Sequence, residues 1–469
     1  MQKTFQPILV RNGRVIDPAN HVDAVCDLRL DGGKIEALGP CGSLPVTPGT
    51  REIDAKAMLV LPGLVDTHTH YLQEDVAGYN MLIAAGVTTA LDACLSNPQV
   101  PAALARRPIG LNALFLYCLM PGRNISSTSP DDDELRTAMQ SGMARGAFGI
   151  KIIGGHIPLT PEATARAIAV AAELGYPITV HAGSTTTPDD LSGMLELCEL
   201  AGNNPLHMPH INSYCTGAIM DGDVLSEAAA AARALRAHPR IVSESHLSPY
   251  SCVGASMNAE DKPGSLFLAS AIRRLGYSAD YAGLGRAIAD GKVLVSGPRD
   301  GCFVFYSAKE GLERYEANHA RVTVAFPFQH VGMAAALASA RRADGEFVIT
   351  ALATDGGVIP RNYTLERGLA LVEAGIFTLA ELVEKSCWAP ARMLGLEASK
   401  GHLAPGADAD VAIVDPMRRA ARTVIAGGVR VFEQGVFEEA PNRLHSLIAG
   451  NFGGFATENL FPYWVNARA

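Results

Sequence analysis

Residues 59–70 read LVLPGLVDTHTH, and this stretch is the starting point for predicting the fold. An apolar run of strand length ends in two histidines, His68 and His70, which are separated by one residue. Residues two apart on a strand point to the same side, so both imidazoles face one way and can grip one metal ion. A pair of satisfied core histidines is the alternative. In TIM barrels, functional groups lie at the carboxyl ends of the strands, which is where this run places both histidines.

Seven further apolar runs follow, and helical patterns alternate with them. In chain order the eight runs are LVLPGLVDTH, VTTALDAC, IGLNALFLY, FGIKII, PITVHAG, LHMPHIN, IVSESH and VITALATD. Helical stretches at 133–146 and 161–175 have capping residues at their starts and glycine at their ends. Eight strand–helix units predict an α/β fold, a (β/α)8 TIM barrel over residues 61–399.

Both ends of the chain have a different pattern, in which short apolar runs alternate with glycine turns. Residues 1–60 contain ILVRNGRVID and DLRLDGGKIEALG, and residues 400–440 contain DADVAIVD and a Gly427-Gly428 hairpin. We predict that the two ends pair into one small β-sandwich domain.

Additional strand and helix patterns at about 255–345 predict an insertion over the active-site face. Residues 441–469 form a C-terminal extension that we expect to pack on a neighbouring subunit.

Composition limits the classes of protein that this chain can represent. Its 469 residues include 48% apolar residues, 46 glycines and 28 prolines, which suits an α/β enzyme of about two structural units. The net charge of −9 and the lack of a Lys/Arg block argue against nucleic acid or an anionic membrane as partner. Nine scattered cysteines indicate reduced thiols, and no signal-peptide or membrane-spanning run is present. We expect a cytoplasmic homo-oligomer with a small-molecule substrate.

Lys151 lies in the strand-like run GAFGIKIIGG, where an unpaired ammonium would cost several kcal/mol of desolvation. One explanation is carboxylation of its amine by CO2, which makes an anion that can bridge two divalent cations. The alternatives are a lysine that reaches solvent and a lysine that pairs with a carboxylate.

Two more histidines, His181 and His210, close the fifth and sixth apolar runs, which makes them candidates for a second metal. His207 lies three residues before His210, so the two point in opposite directions on a strand. We choose His210 because a ligand belongs at the strand end. Asp355 closes the last run, VITALATD, where a carboxylate can bind a metal and accept a proton. A turn aspartate that caps the next helix is the alternative for Asp355.

The order of HTH at the first predicted strand, Lys at the fourth, His at the fifth and sixth and Asp at the eighth resembles the binuclear amidohydrolase superfamily. The motifs PGLVDTHTH, GVTT, CWAPARMLGL and KGHLAPGADADVAIVD are also typical of it, and together they span nearly the whole chain. The superfamily includes hydantoinases, dihydroorotases, isoaspartyl dipeptidases and D-aminoacylases.

The resemblance implies two divalent metal ions, with zinc as the expected metal, and a CO2-derived carbamate on Lys151. His68, His70, Lys151 and Asp355 would hold one metal, and Lys151, His181 and His210 the other. A metal-bridging hydroxide would attack an amide carbonyl. Asp355 would take the proton of the hydroxide and pass it to the departing nitrogen.

The substrate stays open between an N-acyl amino acid and the ring amide of a hydantoinase-like or dihydroorotase-like enzyme. RIVSESHLSPYSCVGASM resembles the seventh-strand region of D-aminoacylases and isoaspartyl dipeptidases, whereas D-aminoacylases typically use a cysteine after GVTT instead of the strand-four lysine. This chain has both Cys94 and Lys151. A non-catalytic scaffold is a further alternative, although such proteins lose metal ligands. From their positions after strands, the predicted substrate-binding residues are His246, Ser248, Tyr250, Asn212 and Tyr214, and His156 is a further pocket candidate.

Overall fold

The computed structural model describes residues 6–70, 77–95, 110–438 and 443–444, and its strands form three sheets. The predicted C-terminal extension at 441–469 lies outside the described residues except for Arg443–Leu444, which pairs in parallel with Asn112–Cys118. Among the described helices, none combines the length and apolar character that crossing a membrane requires.

The largest structural unit is a barrel of parallel strands, which confirms the predicted fold class. In chain order the barrel strands are Leu64–His70, Val87–Leu95, Asn112–Cys118, Gly149–Ile152, Ile178–Val180, Leu206–Met208, Ile241–Ser245, and an eighth in two pieces, Ala351–Leu352 and Gly356–Gly357. The first piece pairs with the seventh strand and the second piece with the first strand. Residues 353–355 therefore link the two edges of the sheet and close the barrel. We call these three residues the barrel seam.

Helices surround the barrel because their apolar faces cover the outer sides of the strands. They are Ala77–Ala84, Asp132–Ala144, Pro161–Leu174, Leu191–Ala201, Ile211–Tyr214, Val224–Ala237, Val331–Ser339, Thr364–Glu373, Leu379–Val383 and Ala389–Met393. The predicted caps are present at Pro161–Leu174, where the Thr160 side chain accepts from Ala163 N and Gly175 adopts the left-handed conformation. Short helical turns occur at Pro18–Asn20 and Gly154–His156, and a π-helical turn at Glu384–Trp388.

The two ends of the chain join in one nine-stranded sheet. Its strands are Ile8–Asp17, Val22–Asp31, Lys34–Pro40, Arg51–Asp54, Leu59–Pro62, Val411–Asp415, Ala420–Ala426, Val429–Glu433 and Val436–Phe437. The ends meet where Leu59–Pro62 pairs antiparallel with Val411–Asp415. Val10, Val60 and Val411 belong to one buried apolar cluster, which stabilises this sheet.

The segment of the chain between the seventh and eighth barrel strands forms a separate four-stranded antiparallel sheet. It consists of Ser251–Gly254, Leu294–Arg299, Cys302–Tyr306 and Thr323–Phe326, together with the helices Leu266–Arg274, Tyr281–Ala289 and Ala308–Ala317. Leu268, Ile288 and Phe326 belong to a core of its own. Helix Val331–Ser339 instead packs Met333 and Leu337 into the barrel core. The separate core therefore spans Val253 to Phe326, whereas the exact domain limits stay a prediction.

Candidate metal centre

The six predicted metal ligands border one cavity of about 320 Å³. They are His68, His70, Lys151, His181, His210 and Asp355. Each lies near the carboxyl end of a barrel strand or just beyond it, where loops can shape a site on a rigid scaffold. The barrel thus brings together residues that are distant in the sequence.

His68, His70 and Asp355 form a compact group. Each offers one ligand atom, and these atoms all lie within 4.8 Å of one another. The Asp355 Oδ1 atom lies 3.0 Å from His70 Nε2 and 3.6 Å from His68 Nε2. Two imidazoles and a carboxylate suit zinc and related divalent metals. The group therefore fits a metal ion on the chemistry and spacing of its donors.

The backbone of this group is held by bonds between the first and eighth strands. Asp355 N donates to His68 O at 2.9 Å. The carboxylate of Asp66 accepts from both His68 N and Thr354 N at 3.2 Å. Asp355 has a φ of 49°, a left-handed conformation that is uncommon outside glycine. These hydrogen bonds fix the position of Asp355 relative to His68.

Lys151, His181 and His210 border the same cavity beside the first group. The ring centroid of His210 lies 4.6 Å from that of His181 and 5.0 Å from that of His68. Lys151 is buried in the fourth strand, where it is the Cα partner of Thr179 on the fifth. These three residues therefore adjoin the first group, as a second metal position would require.

Burial controls the protonation of the histidines. Desolvation lowers the pKa of His68 and His210 well below the usual range, and it also lowers the pKa of His181. These imidazoles are therefore neutral near pH 7, which is the form that binds metals. Burial opposes ionisation of Asp355, but the charge of Arg361 and the hydrogen bond with His70 help to outweigh it, so the pKa of Asp355 lies well below its usual value.

Sequence reasoning missed two buried residues that contact this group. Glu244 Oε1 lies 2.9 Å from His68 Nδ1 and 3.7 Å from His207 Nε2, and burial raises the pKa of Glu244 well above its usual value. Arg361 forms an ion pair with Asp355 Oδ2 and also donates from Nε to the Asp355 carbonyl oxygen. Glu244 sits inside the seventh apolar run, where a charged residue is a usable signal. Arg361 follows the eighth strand in a loop that has no recognisable pattern.

The two histidines of the sixth run have different positions. His210 borders the cavity, whereas His207 Nδ1 lies 3.1 Å from Thr179 Oγ1 inside the barrel. The backbone of Cys94 belongs to the second strand, but its side chain lies outside the part of the chain that the structure describes.

Of the predicted substrate-binding residues, Tyr214 borders the cavity, and its hydroxyl oxygen accepts from Ala182 N at 3.1 Å. Asn212 is buried behind the cavity wall and donates to Gln329 Oε1 at 2.9 Å.

Three other predicted substrate-binding residues belong to the seventh-strand loop. His246 Nε2 lies 3.2 Å from Oγ of Ser213, which itself borders the cavity. Ser248 N donates to His246 Nδ1 at 3.2 Å, and both residues are buried. The ring of Tyr250 lies 5.1 Å from Phe305 of the insertion. A substrate-binding role for His246 and Ser248 would therefore act through Ser213.

Known proteins resemble this chain in sequence and in fold. Residues 314–441 match the model of the amidohydrolase family. The chain is 26% identical to a dihydroorotase of Pelobacter propionicus and 27% identical to one of Syntrophus aciditrophicus, over 87% of this chain in both cases. These alignments cover 90% and 89% of the two relatives.

Solved structures share the whole architecture. N-acyl-D-glutamate deacylase from Bordetella bronchiseptica, in complex with zinc and a phosphonate inhibitor, superimposes with a TM-score of 0.67 at 16% identity, over 95% of this chain and all of that one. A D-aminoacylase gives 0.64 at 18% identity over 94% and 100%, and a D-hydantoinase gives 0.60 at 16% over 93% and 97%.

The barrel, the metal-binding groups and these relatives together define a hydrolase that acts on carbon–nitrogen bonds other than peptide bonds. In sequence and in fold the chain is thus similar to members of the amidohydrolase superfamily.

Proposed function

We propose that this amidohydrolase cleaves the amide bond of a small molecule such as an N-acyl amino acid, with two divalent metal ions bound in the barrel. The observation that carries the proposal is the convergence of six candidate ligands on one cavity. With zinc as the expected metal, one position would use His68, His70, Lys151 and Asp355, and the other would use Lys151, His181 and His210. When bound, such a metal pair lowers the pKa of water and polarises a substrate carbonyl.

Asp355 is the proposed proton carrier of the reaction. Arg361 holds its Oδ2 atom, while Oδ1 lies beside His70. The ionised carboxylate takes a proton from the attacking water and delivers it to the amide nitrogen as the C–N bond breaks. The products are a carboxylic acid and an amine, so one water molecule is consumed for each bond cleaved.

The proposed carboxylation of Lys151 would complete both positions. Its amine would attack CO2 and lose a proton, which gives an anionic carbamate in place of a buried ammonium. The buried position beside His181 and the shared cavity support this chemistry. A carbamate carbon signal after exposure to 13C-labelled CO2 is expected for the wild type and not for Lys151→Arg. A structure at neutral pH with a bare ammonium there, and with Cys94 bridging the metals, would refute it.

The apolar part of the cavity favours an acylated substrate. Val253 and Phe267 of the insertion and Ile153, Val358 and Ile359 of the barrel border the same cavity as the metal-binding groups. Apolar walls with a few polar groups are typical of sites that bury a ligand, and here they offer space for an acyl chain. The insertion therefore contributes to substrate selection in this proposal.

A ring amide is the second candidate substrate, and the sequence relatives support it. The two dihydroorotases are similar over nearly their whole length, at 26% and 27% identity. The same metal pair and the same aspartate would serve to open a cyclic amide.

One experiment compares the two candidates directly. We would load the chelated protein with Zn²⁺, Mn²⁺ or Co²⁺ and measure kcat/KM for N-acyl-D- and N-acyl-L-amino acids, isoaspartyl dipeptides, dihydropyrimidines and hydantoins. The proposal expects metal-dependent release of the amino acid, with kcat/KM increasing with the length of the acyl chain. Turnover of ring amides alone would favour the second candidate. Failure to bind any transition metal would overturn both.

A further inference from the structure

A second set of potential ligands lies on the wall of the cavity, and only His181 is shared with the six ligands above. His156, His181 and Asp189 each offer one ligand atom, and these atoms all lie within 4.8 Å of one another. Asp189 Oδ2 is 3.6 Å from His181 Nε2 and 3.7 Å from His156 Nε2. The two imidazole centroids are 4.8 Å apart. All three residues border the cavity, so a dissolved cation can reach them.

The three groups are close together but do not satisfy one another. Separations of 3.6–3.7 Å exceed the 2.7–3.2 Å of a normal N–H···O hydrogen bond. His181 Nε2 is buried and has no hydrogen-bond partner among the described residues. A buried polar atom without a partner is costly, and a cation between the three groups would satisfy all of them.

Close backbone packing builds this arrangement. The loop after the fourth barrel strand touches the loop after the fifth, and Gly155 N donates to Ala182 O at 3.0 Å. A Cβ atom on Gly155 would lie 2.9 Å from the Cβ of Asp189. A Cβ on Gly183 would lie 2.9 Å from Gly155 N. The two glycines therefore allow Asp189 to approach His156 and His181, which lie in neighbouring strand-end loops.

We propose that His156, His181 and Asp189 form a further binding site for a divalent transition-metal cation. Two imidazoles and one carboxylate are the donor set that such cations accept, with the remaining positions open to water or substrate. The site does not depend on the proposed function. His181 is also a candidate ligand of the position formed by Lys151 and His210, and its two ring nitrogens allow it to serve both sites.

Metal binding to the chelated protein tests the site without measuring activity. Equilibrium dialysis against increasing Co²⁺, with elemental analysis, counts the bound equivalents. Asp189→Asn preserves the shape of the side chain and removes its charge, and we expect it to bind one Co²⁺ equivalent fewer than the wild type. His156→Gln should lose the same equivalent. Glu199→Gln changes an exposed carboxylate on the following helix and should bind Co²⁺ as the wild type does.

The outcomes separate this site from the proposed function. Circular dichroism shows whether Asp189→Asn and His156→Gln fold. If one of them does not fold, Co²⁺ binding to the other tests the site. If both folded variants bind as many equivalents as the wild type with unchanged affinities, the site does not exist, whereas loss of Co²⁺ in His68→Ala would still support the six-ligand centre. If Asp189→Asn and His156→Gln each lose an equivalent while no amide in the panel is hydrolysed, the site stands and the proposed function fails.

Discussion

Asp355 is constrained at its side chain, in its backbone conformation and by a backbone hydrogen bond. Its carboxylate meets two histidines and a buried arginine, its backbone is left-handed, and its amide donates to the strand that carries those histidines. The pKa of Asp355 stays low because the charge of Arg361 and the hydrogen bond with His70 help to outweigh the effect of burial. The carboxylate is therefore ionised at neutral pH and held in one orientation, as the proposed role of a base requires.

Asp355→Asn tests this role. The amide is nearly isosteric, so the fold should persist, but it cannot accept the proton of the attacking water. We expect kcat to fall by a factor on the order of 10²–10⁴. Steady-state kinetics would measure kcat, and elemental analysis of the same sample would measure the bound metals. Asp344→Asn, at an exposed position, is the control. Near wild-type kcat with both metals bound would make Asp355 a structural residue only.

Glu244 gives a second prediction at this scale. It accepts a hydrogen bond from His68 Nδ1 if that nitrogen carries the proton, which leaves His68 Nε2 as a ligand atom. Removing such support from a metal-binding histidine typically weakens metal affinity by about 10–100-fold. We expect a loss of this size for Glu244→Gln in competition titrations with a chelator. An unchanged affinity would mean that His68 is oriented by its backbone alone.

The convergence of the six candidate ligands on one cavity could be predicted because each lies in or at the end of an apolar run, and the pattern of the runs orders them around a barrel. Glu244, Asp189 and Arg361 could not be assigned roles in that way. Their importance depends on which loops touch across the cavity, and sequence periodicity contains no information on such contacts.

At the scale of elements, the loops after the fourth and fifth strands determine the shape of one side of the cavity. Gly154 begins the helical turn Gly154–His156 with a φ of 54°, and a Cβ there would lie 2.1 Å from His181 O. Only glycine fits at this point, because the neighbouring atom belongs to the backbone.

Gly154→Ala should therefore displace His181 and lower both the melting temperature and the number of bound metals. Gly175→Ala is a matched control, because Gly175 has a φ of 69° but no atom within 4 Å of an added Cβ. In Gly175→Ala the expected loss of stability comes only from the left-handed backbone conformation, which costs roughly 1–2 kcal/mol. Calorimetry and elemental analysis of both variants isolate the steric clash. If Gly154→Ala behaves like the control, the two loops are not in close contact.

The elements themselves were largely predictable, since eight apolar runs and capped helices show clear periods. The two-piece form of the eighth strand was not predicted. Thr354 and Asp355 interrupt its ladder because their backbones bond to Asp66 and His68 instead. That interruption is a tertiary effect.

At the scale of the molecule, the two chain ends depend on each other. Ile413 near the C-terminal end is the Cα partner of Val60 near the N-terminal end, and both side chains are buried in one cluster. The pairing of the ends was predicted from their similar patterns. Which strands of the two ends are neighbours in the sheet, and in which register, was not predicted, since both depend on packing.

Ile413→Ala should therefore lower the free energy of unfolding by about 2–5 kcal/mol, because it leaves a cavity in that cluster. Ile413→Val removes one methylene and should cost about 0.5–1.5 kcal/mol. Denaturant unfolding of the three proteins measures both. Equal stability of Ile413→Ala and the wild type would show that the end-to-end sheet contributes little to folding.

The barrel seam also has a consequence for biosynthesis. His70 and Asp355 are 285 positions apart in the chain and meet only when residues 353–355 link the two edges of the sheet. A ribosome produces His70 long before Asp355, so a nascent chain carries some donors without the carboxylate that completes the first group. Assembly of the first group is therefore a late event of synthesis, and if this group binds the metal as proposed, an unfinished chain would lack the hydrolytic centre.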